Sequence, residues 1–263
     1  MSGNNAFMLV EERGWRRGLR NMLQSELAGW WKTSLWWVQA LIWGGMMSFI
    51  LGSIFLQGGD LETVDAVMLY SVFGGLFPAV AVIIILMGAV VGEKQDGTAS
   101  WVLSKPVARP AFIIAKLLAH SLGVFVTMVL IPGLLAYLIL TMLGGIELNP
   151  VPFITAQFVF FLNHLFFLSL TLMLGTLFAQ RGPVIGIALA ILFMQQNLIG
   201  MLSPLKHVLP WTLVMPMATN SDALVPALLL GEPIPSALHP VIILLEIVVF
   251  IAIGLMRFNN EEL

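Results

Sequence analysis

Glu246 interrupts an apolar run from Pro240 to Met256, and Asn163 and His164 interrupt another from Phe153 to Phe178. Gln195, Gln196 and Asn197 follow one another inside a third, from Pro183 to Ser203. Hydrogen-bonding or ionisable side chains in such runs do one of two things. They bond each other or the backbone and glue helices together, or they face a wet cavity and bind or relay a polar species. The sequence leaves both open, and these six are the candidate pathway residues. No metal site is expected, because His120, His164, His207 and His239 lack ligand spacing. Zero Cys removes thiolate ligands, disulfides and cysteine nucleophiles together. HExxH, GxSxG, a GxGxxG following a strand, and the phosphate-cradling GxxxxGK[ST] are all missing from these residues.

A second group of polar residues lies between apolar runs, in Gly92 to Arg109, GEKQDGTASWVLSKPVAR. Asp96-Gly97 signals a turn, Thr98 is suited to cap a helix, and Ala99 to Ser104 makes under two turns before Lys105-Pro106 stops it. The expectation is a short, stiff helix held at the membrane surface, with Glu93 and Asp96 exposed beside it.

The elements that must position these residues are membrane spans. In 263 residues 59% are hydrophobic and 10% charged, with mean hydropathy +0.97, whereas soluble domains carry about 25% charged residues. A net charge of -2 gives no field for nucleic acid. Six stretches reach the roughly 20 apolar residues a crossing helix needs. They are Leu35 to Leu56, Val67 to Gly92, Ile113 to Leu143, Phe153 to Phe178, Pro183 to Ser203 and Pro240 to Met256. Eleven of the 12 Lys and Arg fall before span one, between spans two and three, between four and five, or after six; only Lys206 falls on the other side. By the positive-inside rule both termini are cytoplasmic. The third run exceeds a bilayer's need, so Lys116 and His120 are expected in the cytoplasmic interface. Pro78 and Pro132-Gly133 suggest kinks, and Gly88 with Gly92 a close helix approach.

Two further segments are neither spans nor plain loops. The first 34 residues lack the order of a cleavable signal, and from Trp15 apolar residues recur at Leu19, Met22, Leu23, Leu27 and Trp30. That is an interfacial amphipathic helix, with Arg17, Arg20 and Lys32 on its polar face and Glu26 misplaced on its apolar one. Trp30, Trp31, Trp36, Trp37 and Trp43 cluster at the level of an aromatic belt. The outer connection, 204–239, is apolar, yet it and Pro240 hold seven of the chain's 14 prolines. Its longest proline-free run, Met217 to Val225, spans only about 13 Å as helix, so short re-entrant helices are expected, not a crossing.

The Gly-Glu-Lys, Asp-Gly-Thr and Pro-Val-x-Arg pattern, with Lys116 beyond it, resembles the signature of permeases of the ATP-binding-cassette type-2 exporter class. Gln24-Ser25-Glu26-Leu27 is similar to the family's basic-Glu-Leu elbow helix, with Ser25 in the basic position, and Trp101-Val102-Leu103 is bulkier than the common form. The resemblance implies an all-α membrane protein of a single domain, 1–263. Residues 1–34 would be the cytoplasmic N-terminus and elbow, 35–203 spans one to five, 204–239 the extracellular re-entrant segment, 240–256 span six and 257–263 a cytoplasmic tail. It implies a multi-pass permease of the cell membrane that pairs with a second permease chain, identical or not. Two separate ATPase subunits would hold the ATP and Mg, and no cofactor would bind this chain. Glu93, Asp96, Gly97, Thr98, Trp101 and Arg109 would form the ATPase-coupling segment and Glu26 would belong to the elbow helix. Cargo would be lipid-like, a hydrophobic peptide, a drug or a glycan. Two other readings remain: a secondary transporter or channel using Glu246 for protons or cations, and an intramembrane protease. Glu11, Glu12 and Arg16 (EExxxR) with Phe160 and His164 (FxxxH) resemble motifs of the CAAX-type proteases, but the first lies ahead of every span.

Overall fold

The computed structural model describes residues 14–57, 62–217 and 222–261, and among them every regular element is helical. Six helices are long and apolar enough to cross a membrane: Leu35–Leu56, Thr63–Gln95, Arg109–Leu143, Pro150–Leu177, Arg181–Met201 and Leu238–Asn259. The first has the expected bounds. Most of the others gain polar residues at an end, because backbone hydrogen bonding continues past the apolar run.

The chain enters through a 3-10 turn, Gly14–Arg16, and helix α1, Leu19–Trp31. The amphipathic helix expected from Trp15 therefore starts one turn later. Gly18 breaks it with φ 79, and a Cβ there would lie 2.9 Å from the Val107 side chain. Only glycine combines that backbone angle with that approach. Ala108 N–H donates to Arg17 O at 2.9 Å, so the chain's entry is tied to the connection after span two.

Span one is α2, Leu35–Leu56. Span two is α3, Thr63–Leu86, followed after a turn by α4, Val91–Gln95. The short helix α5, Thr98–Leu103, follows at once. Span three is built of α6, Arg109–Val124, and α7, Ile131–Leu138, each continued by a π-helical stretch, Phe125–Leu130 and Ile139–Leu143. The first wide stretch ends just before Pro132, where an α-helix would lose one hydrogen bond and meet the proline ring. Span four is α8, Pro150–Leu177, its N-terminus capped by Asn149, whose side chain accepts from Val151 N–H at 3.1 Å, with Pro150 at the first position. Span five is α9, Arg181–Met201; span six is α12, Leu238–Asn259.

Helix α8 is central and touches α3, α6, α9 and α12. Its most apolar stretch is 72% buried, against 22% for spans one and six, which stand at the periphery. Between spans five and six lie α10, Trp211–Val214, and α11, Leu224–Leu230, both packed on α8 and α3. A Cβ on Gly75 would come within 2.8 Å of Val214. Gly75 lies about 18 Å along α3 from Thr63. The segment thus dips among the spans and turns back, as its prolines require.

Candidate functional site

At one end of the bundle α1 lies along α6, which also packs on α12, and α5 packs on α4. Trp30 is fully buried there, its indole N–H donating to His120 Nδ1 at 3.0 Å, and Gly123 leaves the ring room that a Cβ would take. Trp30 is thus a packed anchor, while Trp36 and Trp37 are exposed as belt residues would be. One turn away, the Lys116 ammonium, only 1% exposed, donates to Glu26 Oε1 at 2.7 Å and to Glu93 Oε1 at 2.5 Å. His120 Nε2 stands 4.0 Å from the second Glu26 oxygen. A buried ammonium is tolerable only when paired and hydrogen-bonded, and here α1 and α4 supply one carboxylate each.

Protein encloses Lys116 and most of His120. Two expectations are corrected at this junction. Glu93 is not free beside α5 but turns inward to Lys116, leaving Asp96 exposed. Glu26 is no blemish on the apolar face of α1, since that face meets a buried cation. The misplacement was itself the sequence signal for such a partner, although the partner lies 90 positions away.

Beyond the junction, α5 forms where expected, but Gly97 occupies the capping position with φ 70 and Thr98 is the first helical residue. Its exposed face carries Trp101, 62% exposed, with the Lys105 ammonium 3.3 Å from the ring centroid. Arg109 points away from this face. It donates to the carbonyls of Asn259 and Glu261 at 2.9 and 2.5 Å and so closes the C-terminus of α12. Lys94 binds the Glu261 carboxylate at 2.9 Å and the Thr176 carbonyl at 3.3 Å, joining α4 to α8 and the chain end. Gly88 and Gly92 do allow a close approach, though to the Arg181 guanidinium, 2.9 Å from a Cβ on Gly92.

The intramembrane candidates do not gather. Asn163 and His164 are buried, Asn163 donating to Gly75 O at 3.0 Å while His164 interacts with the Gly74 backbone. Pro78 accounts for the second of these, since it has no N–H to offer the Gly74 carbonyl four residues back. Gln195 faces inward and donates to Leu192 O at 3.0 Å, whereas Gln196 and Asn197 are exposed on the outer face of α9. Glu246, half-buried on α12, has one carboxylate oxygen enclosed without a hydrogen-bond partner among the described residues. Sequence reasoning missed Gln157, whose amide nitrogen donates to the Tyr70 hydroxyl at 2.8 Å in the space left by Gly133. Of the protease motif, Glu11 and Glu12 lie outside the described residues, and His164 is buried in α8. Among the described residues no three His, Asp or Glu could hold a metal ion.

Six spans, a helix lying along one end, a short exposed helix beside it and re-entrant pieces at the other end define a multi-pass membrane protein. The family model for ABC-2 family transporter proteins matches residues 33–263, and the chain belongs to that family. Membership implies an ATP-binding-cassette ATPase as a partner in general. No curated protein matches the chain.

Proposed function

We propose that the chain is the membrane-spanning subunit of an ATP-driven exporter, working as a dimer of permease chains on two ATPase subunits, with its termini, α1 and α5 on the cytoplasmic side of the cell membrane. The Glu26–Lys116–Glu93 junction carries this reading. It makes one rigid piece of the surface helix α1, the stem α4 that holds α5, and the third span, so a push on α5 moves a span. Asp96, Gly97, Thr98 and Trp101 form the contact surface for the ATPase, while Glu93 and Arg109 position it from behind. The ATP and Mg belong to the partner, because no phosphate-cradling motif occurs in these 263 residues. The basic asymmetry supports the orientation. Gln196 and Asn197 on the open face of α9, with Glu246 on α12, are the pathway candidates facing a second chain. Asn163, His164 and Gln195 serve packing. Apolar walls favour a lipid-like, peptide, drug or glycan cargo carried on a hydrophobic part.

The test is ATP hydrolysis by the co-purified ATPase in liposomes with Trp101→Ala and Asp96→Arg. Both should lower coupled hydrolysis while the permease stays folded. Full hydrolysis and full co-purification in both variants would remove α5 from the interface.

A further inference from the structure

At the end opposite α5, two spaces lie side by side within one chain. The first, about 590 Å³, is lined by Lys206, His207, Thr212, Asp222 and His239 together with apolar residues. The second, about 360 Å³, is almost wholly apolar, with Phe158, Leu162, Leu228 and Pro240 on its walls. Leu224, Ile234 and Ser236 line both, and Ile234 is 54% exposed on the rim between them.

The polar space is built on buried supports. Thr212, 6% exposed, donates to the Lys206 carbonyl at 2.8 Å and faces His239 Nδ1 at 3.4 Å. His239, 5% exposed, reaches the Leu209 carbonyl with Nε2 at 3.1 Å. These bonds fix the 3-10 turn Ser203–His207 and hold Lys206 and His207 on the cavity wall. Lys206 is the only Lys or Arg in the connections on this side of the spans, and it lines the larger of the two cavities. The apolar space starts lower. Its residues Thr155 to Leu162 lie about 8 to 18 Å along α8 from Pro150, the depth of one leaflet's hydrocarbon.

A polar chamber that carries Lys206 and His207, continued by an apolar groove to the depth of one leaflet, matches a molecule with the same two parts. We infer that this end of the chain binds one phospholipid of the adjoining leaflet, its phosphodiester at Lys206 and His207 and one acyl chain over Leu228, Phe158 and Leu162. Asp222 lies on the same wall. Bound there, the lipid ties the re-entrant segment to α8 and α12. The site lies inside a single chain and stands or falls independently of the exporter reading.

The experiment is photolabelling of the full chain in vesicles containing a trace of phosphatidylethanolamine with a diazirine on its acyl chain, followed by peptide mapping. Label is expected on 155–162 and 224–240, and it should fall about tenfold, equivalent to about 1.4 kcal/mol, in the double variant Lys206→Gln/His207→Gln. Label at Phe49, an exposed residue of α2 at another face, should not change and reports correct insertion. Leu228→Trp should block the groove and lower the label similarly; if that variant misfolds, the double variant still decides. Undiminished label in the double variant overturns the proposal. So does equal labelling by the matching diacylglycerol probe, which means a greasy surface only, or displacement by millimolar inorganic phosphate, which means a soluble-anion site.

Discussion

Glu26 and Glu93, one on the surface helix before the first span and one at the foot of the second, bind the same buried nitrogen, Lys116 Nζ. Neither carboxylate touches its neighbour in sequence for this purpose, and the cation comes from a third element. Because Lys116 is enclosed, the three groups act as a unit whose members are far from additive.

Lys116→Met should therefore destabilise the chain by about 3 kcal/mol, the lower end for breaking a buried ion pair, since both carboxylates keep some solvent access. The triple variant Glu26→Gln/Glu93→Gln/Lys116→Met removes every charge at once and should recover most of that loss, because an apolar replacement of a complete buried network is often near neutral. Unfolding in detergent measures both. Losses that simply add would show that the three groups are independent.

Gly97 tests the turn ahead of α5. Its φ is 70, and nothing lies within 4 Å of where a Cβ would stand, so a substitution there is opposed by the backbone alone. Left-handed backbone costs an L-residue about 1 to 2 kcal/mol, least for Asn and most for a β-branched residue. Coupled ATP hydrolysis should rank wild type, Gly97→Asn, Gly97→Ala, Gly97→Val in falling order. Equal activity in the Asn and Val variants would mean that the turn does not shape the contact.

The spans, the short helix and the re-entrant segment were legible in the sequence because each rests on local composition: apolar length, a turn dipeptide, closely spaced prolines. What escaped rests on pairing across sequence distance. The Gln157 bond to Tyr70 leaves no trace in either apolar run. Lys116, set near the start of a long run, reads as an interfacial cation until Glu26 and Glu93 are seen to converge on it. Arg109 reads, through the resemblance, as part of the coupling segment, and nothing near it in sequence shows that its donors close the end of the last helix. Glu26 was the exception, since a carboxylate on an apolar face demands a partner wherever that partner lies.

Orientation is tested with reporters at Ser104 and Glu147, both exposed. The basic asymmetry places Ser104 in the cytoplasm and Glu147 outside. Membrane-impermeant labelling of a cysteine at each position checks this, the chain having no Cys of its own. Labelling of both from one side would end the six-span arrangement.

The polar run on α9 separates packing from pathway. Gln195 and Gln196 are adjacent, and a helix turns 100° per residue, so they cannot share a face. The structure buries Gln195, with Oε1 lacking a hydrogen-bond partner among the described residues, and leaves Gln196 and Asn197 open. Gln195→Leu removes a buried polar group that is only half satisfied, and should leave stability equal or slightly raised and transport intact. Gln196 and Asn197 are exposed and make no side-chain hydrogen bond among the described residues. Gln196→Leu and Asn197→Leu should leave the chain's stability unchanged and reduce transport, since polar groups in hydrocarbon are favoured only where water or a second chain answers them. Glu246→Gln keeps shape while deleting the charge; if Glu246 faces that same wet space, transport falls with little loss of stability. The measurement is substrate efflux from liposomes containing the ATPase, with thermal unfolding of each variant alongside. Normal efflux in Gln196→Leu, Asn197→Leu and Glu246→Gln, together with a loss in Gln195→Leu, would invert the assignment and make the buried glutamine the working residue.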